Sequence, residues 1–97
     1  MARVIYAEAA LVDLERIADF LLAHEAGSAR DIFADVRTAV ETLERHPLIG
    51  RKVDAEIREL VISRGRTGFV ALYRYARVED LAFILRIRHQ REAGYQE

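Results

Sequence analysis

Residues 69–88 read FVALYRYARVEDLAFILRIR, and their alternation decides the fold. Side chains on a strand point to opposite faces in turn. A strand over 69–75 therefore places Phe69, Ala71, Tyr73 and Tyr75 on one face and Val70, Leu72 and Arg74 on the other. Arg77-Val78-Glu79-Asp80 reads as a turn. A strand over 82–88 then sets Phe83, Leu85 and Ile87 against Ile84, Arg86 and Arg88. Just upstream, 57–62 is a third apolar strand, joined through Arg64-Gly65-Arg66-Thr67-Gly68, a hairpin loop with two glycines. Consecutive strands joined by short connections imply an antiparallel meander.

The N-terminal half has a different period. After a short strand over 3–6, Leu11, Leu14, Ile17, Ala18 and Leu21 recur at helical spacing, predicting a helix over 8–24. Gly27 reads as its terminator. Ser28 with Asp31 resembles a capping box and opens a second helix, whose stripe is Ile32, Val36, Ala39, Val40 and Leu43. That helix must stop near His46, because Pro47 disfavours helical backbone in the residue before it. Pro47 to Gly50 is a turn, and Gly50-Arg51-Lys52 opens a polar loop. The fold class is α+β in the order β-α-α-β-β-β. A helical hairpin packs on one face of a twisted, mainly antiparallel sheet and leaves the other face partly open. The expected core is Leu14, Ile17, Leu21, Ile32, Val36, Val40, Leu43, Leu60, Ile62, Phe83, Leu85 and Ile87. Glu8, Asp13, Asp19 and Asp35 read as solvated helix positions.

Length and composition bound the rest. Ninety-seven residues, 1–97, make a single domain. No apolar run approaches the roughly 20 residues of a membrane span, so no membrane partner is expected. No signal-peptide core follows Met1, and cysteine is absent. Both point to a cytoplasmic protein without disulfides or thiolate metal sites. No histidine pair has metal-binding spacing, and no metal or other cofactor is expected. The net charge is −1 but unevenly spread. Residues 1–49 carry nine acids against five arginines, and residues 50–97 carry ten basic residues against seven acids. Positive charge thus collects on the predicted sheet. Of fifteen basic residues only Lys52 is lysine, and arginine favours planar, bidentate partners. Arg58, Arg74, Arg86 and Arg88 alternate with apolar residues, which suits the open sheet face.

Ala10-x-x-Asp13-Leu14-x-x-Ile17-x-x-Phe20, Leu43-x-x-x-Pro47-x-x-Gly50-Arg51, Arg58-Glu59-Leu60, Phe69-Val70-x-Leu72-Tyr73-Arg74 and Ile87-x-His89-Gln90-Arg91 follow one another in this order. Together they make the chain resemble the RelE/ParE superfamily of type II toxins over nearly its whole length. The resemblance implies a growth-inhibiting toxin of the plasmid-stabilisation kind, neutralised by a cognate antitoxin. The ParE branch poisons DNA gyrase by binding. The RelE branch cleaves mRNA on the ribosome. Fold alone does not choose between them.

Cleavage by a ribose 2′-hydroxyl needs a base, a cation for the phosphorane and an acid. His89, Arg91 and Tyr95 are the candidate catalytic residues if the protein is a nuclease. Imidazole serves as base or acid near neutrality, and Arg91 can clamp a phosphate in a fork. The nuclease branch, however, places an arginine directly after an aromatic residue on the strand that here reads Phe69-Val70. It also uses lysines on the strand that here reads Ile57-Arg58-Glu59-Leu60-Val61-Ile62. The ParE-like reading fits Val70 better and needs no acid–base set. Its candidate target-binding residues are Arg58, Arg74, Arg86, Arg88, His89 and Arg91. A third reading is a non-toxic interaction module. His24 and His46, near helix C-termini, read as structural. Arg64 and Arg66 read as a solvated loop or an anion-holding one, and Tyr73 and Tyr75 as core residues.

Overall fold

The computed structural model describes residues 1–24, 26–63 and 68–89. In chain order it contains β1 (Arg3–Tyr6), α1 (Glu8–His24), α2 (Ala26–Arg45), β2 (Arg51–Lys52), β3 (Arg58–Ser63), β4 (Phe69–Ala76) and β5 (Leu81–His89). The strands form one sheet in the order β1-β5-β4-β3-β2. Neighbours from β5 to β2 are antiparallel, whereas β1 runs parallel to β5. The expected element order stands. Arg51 and Lys52 form a two-residue edge strand instead of a loop, with Arg51 opposite Glu59 and their side chains paired at 2.7 Å.

The helices cover one sheet face through two joined apolar clusters. Ala10 and Leu43 pack with Ala71, Tyr73, Ala82, Ile84 and Ile87. Leu21, Ile32 and Val36 pack with Phe69. Leu14, Ile17, Val40 and Ile62 touch both clusters. Alanines at positions 10, 71 and 82 are fully enclosed and bring the helices close to the sheet. His46 N–H closes the last helical bond of α2 on Thr42, and Pro47 begins the turn.

Two local expectations give way to tertiary structure. α2 starts at Ala26, ahead of Ser28, so Gly27 lies in its first turn and does not terminate α1. A Cβ at Gly27 would meet nothing within 4 Å. Glycine is tolerated there, and packing of Ile32 and Val36 fixes the helix beyond its local start signal. The second correction is in β5. Tyr73 pairs with Ile84 but Leu72 with Arg86, so Leu85 is an extra residue, a bulge. Before it Ala82 and Ile84 face the helices, and after it Ile87 does. Phe83 and Leu85 are only half-buried and belong to neither cluster, contrary to the strict alternation expected from sequence.

Candidate functional site

Arg74 and Phe83 stand opposite each other on β4 and β5, with the guanidinium 5.0 Å above the ring. Cation–π contact holds the charge on the sheet face away from the helices. Leu72 and Arg86 form the next pair on this face, and Val70 and Arg88 the one beyond it, towards the strand end. Val70 is 1% exposed, so no solvent-facing group stands at this position of β4. The Arg88 Nε is buried and has no hydrogen-bond partner among the described residues. His89 pairs with Phe69, and their rings meet edge to face at 5.3 Å. Arg91 and Tyr95 lie outside the described residues, as do Arg64 and Arg66.

The other two arginines are tied to partners elsewhere in the chain. Arg58 shares the parity of Leu60 and Ile62 and turns to the helix side, at the sheet's end. Its Nη1 donates to the carbonyls of Leu48 (3.0 Å) and Gly50 (2.8 Å). Beside it the buried Tyr73 hydroxyl donates to the Pro47 carbonyl and accepts from the Gly50 N–H, both at 2.8 Å. The turn 47–50 is thereby pinned from below. Its Leu48 and Ile49 stay exposed beside an open depression of about 680 Å³ that His46, Tyr75 and Arg77 also line. A smaller polar hollow next to it holds Lys52, Arg58 and Arg74.

Arg86 is engaged by Asp13, which corrects the reading of Asp13 as solvated. Asp13 is 1% exposed. Its Oδ2 accepts from Arg86 Nε at 2.7 Å and from the Ile87 N–H at 2.9 Å. Its Oδ1 accepts from Arg86 Nη2 at 3.0 Å and Arg16 Nη2 at 2.9 Å. Burial pushes this carboxyl up, but the bonds from Arg86 and Ile87 and the charges of Arg86 and Arg16 outweigh it, so its pKa ends below the ordinary value. The signal was present in the sequence: Ala10, Asp13, Ile17 and Leu21 are spaced as one helical stripe, with an acid inside it.

The chemistry available is mostly cationic contact. The Tyr73 phenol is pushed up by burial, against the Gly50 bond and the Arg58 charge. The Tyr75 phenol is pushed up chiefly by its bond to Asp80, and also by desolvation. Both stay protonated at neutral pH and are poor bases. The His24 Nδ1–H donates to the Phe20 carbonyl at 2.9 Å, a structural role at the end of α1. Among the described residues no group of His, Asp or Glu could hold a metal ion, and no helix is long and apolar enough to cross a membrane.

Comparison with known proteins adds the family. Residues 4–94 match the model of the ParE toxin of the type II toxin–antitoxin system parDE. Toxin RelE2 of Caulobacter vibrioides is 34% identical over 91 residues, covering 92% of this chain and 96% of that one. Toxin RelE3 of the same organism is 37% identical over 81 residues, covering 82% and 85%. A chain of the chromosomal ParDE TA system from P. aeruginosa shares the fold, with a TM-score of 0.71 at 22% identity over 92% of this chain and 96% of that one.

Proposed function

The chain belongs to the ParE toxin family of type II toxin–antitoxin systems, and from that premise we propose that it poisons DNA gyrase by binding. A family toxin has a cognate antitoxin, and here the antitoxin would hold the toxin inactive in the cytoplasm. The observation that carries the gyrase reading is Val70. The position where the nuclease branch carries a phosphate-binding arginine is a buried valine. A binding mechanism also needs no acid–base set. The contact groups are Arg74, Arg88 and His89, with Arg91 following in sequence. Arg58 and Arg86 are engaged internally and shape the surface from behind. A ligand that prefers the cleaved gyrase–DNA complex over the resealed one raises the cleaved population by that difference alone.

Purified, antitoxin-free protein should inhibit gyrase supercoiling and accumulate cleaved DNA, and Arg91→Ala should weaken both while remaining folded. A folded preparation that arrests growth yet leaves gyrase untouched would overturn this reading. It would favour ribosome-dependent mRNA cleavage, for which His89, at the strand end against Phe69, is the candidate base or acid. Harmless overexpression would instead favour a non-toxic interaction module.

A further inference from the structure

The last third of β5 keeps its ladder with β4 but has lost its neighbour on the other side. β1 ends at Tyr6 opposite Ile84, and the Ala7 N–H makes the final backbone bond across that seam, to the Ile84 carbonyl at 2.8 Å. Leu85 then bulges, and among the described residues no strand continues β1 beside Arg86–His89. An unpaired edge of this kind frays unless something satisfies its amides. Asp13, on α1, does so. Its carboxylate takes the Ile87 N–H that a longer β1 would have taken, and grips the preceding Arg86 in a bidentate fork. Two-point guanidinium–carboxylate pairing fixes orientation as well as distance. The carboxylate is enclosed, so water does not compete for it. Arg88 and His89 follow directly, and the chain leads on from them to Arg91.

We propose that Asp13 is a positioning residue: through Arg86 and the Ile87 amide it sets the direction of the strand end that presents Arg88 and His89 to the target. The proposal rests on the reading that this strand end is the contact surface. Asp13 touches no target itself. It holds the end of β5 to the helical hairpin, so that the contact groups are in place before the partner arrives.

Asp13→Asn tests this, because asparagine keeps an acceptor for the Ile87 amide but loses the charge that fixes Arg86. The measurements are thermal unfolding, amide exchange at Ile87 and at Ala71 on the neighbouring strand, and the dose response for gyrase-dependent DNA cleavage. At a temperature where the variant is fully folded, exchange at Ile87 should rise while Ala71 keeps its protection. The half-effective dose should increase about tenfold, the size typical of residues that act on a site without touching it. An unchanged dose response with faster Ile87 exchange would overturn the proposal and leave Asp13 a purely structural residue. Equal loss of protection at Ile87 and Ala71 would do so as well, since that is global destabilisation. Should Asp13→Asn fail to fold, Arg86→Lys replaces it. A single-point cation must give the same selective pattern, and its absence overturns the proposal. Wild-type protein runs in the same assay. If it leaves gyrase untouched, the gyrase reading falls alone, and the same dose comparison is read from growth arrest on graded induction.

Discussion

At the turn 47–50 the chain passes from helix to sheet with no ladder to hold it, and a phenol does the holding. At the outer end of β5 the ladder with β1 also stops, and there a carboxylate takes over on that side. The two anchors differ in charge and so in what sustains them. The Tyr73 hydroxyl accepts from Gly50 and donates to Pro47, a neutral arrangement with both partners on the backbone. Its fit is steric as well: a Cβ on Gly50 would lie 2.6 Å from Tyr73 Cε1 and 2.9 Å from the Glu59 carbonyl oxygen. The Asp13 anchor buries a charge, which is stable only while Arg86 and the Ile87 amide surround it. A neutral anchor is indifferent to pH and salt over the working range. A charged one is stiffer and directional but conditional, and this chain uses it next to the proposed contact groups.

Truncating the charged anchor should give the largest effect. Asp13→Ala leaves Arg86 and the Ile87 amide without their acceptor, and should cost about 3 kcal/mol in denaturant unfolding. Arg86 retains access to water at 37% side-chain exposure, which keeps the loss at the low end for a broken buried pair. A loss below that of Tyr73→Phe would break the comparison. Tyr73→Phe preserves the ring and removes only the hydroxyl, leaving the Gly50 N–H and Pro47 carbonyl to find other partners. About 1.5 kcal/mol is expected, with no dependence on pH between 5 and 8.

Acid should separate the two anchors more finely. The native pKa of Asp13 is depressed, so on acidification the unfolded chain takes up this proton first. The contribution is complete above the ordinary carboxylate pKa and drains away as pH falls through the native value. Wild type should therefore lose stability below about pH 4 more steeply than Asp13→Asn, measured as the difference between their unfolding midpoints. Parallel curves would mean that the charge of Asp13 contributes nothing. The smallest effect belongs to Arg16→Ala. Its side chain is 69% exposed although it touches Asp13, and such a pair should contribute no more than about 0.5 kcal/mol. A larger loss would make Arg16 a full member of the anchor.

The sequence showed both helices and the four longer strands because each displays a clean period over enough residues, as with Ile32, Val36 and Leu43 or Phe69, Ala71 and Tyr73. It hid what depends on a distant partner. Nothing local marks Leu85 as the extra residue, since the bulge exists only relative to β4. Arg58 and Arg86 looked like surface cations because alternation predicts a face but not a partner, and both find theirs on other elements. Asp13 was legible in principle, as an acid inside an apolar stripe. Helical charge is usually solvated, and only the Arg86 contact, 73 residues away, shows otherwise. Arg74, by contrast, lies where alternation put it, against Phe83.

The bulge at Leu85 gives β5 two reading frames. Even-numbered positions face inward before it, and odd-numbered ones after it. In a regular ladder without the bulge, Leu85 would pair with Leu72 and every later residue would turn over, with the methyl groups of Ile87 towards water and the guanidinium of Arg88 under the helices. The spare residue therefore acts as a phase shifter: it lets one continuous strand seal the core with its first half and aim its polar end by a separate rule.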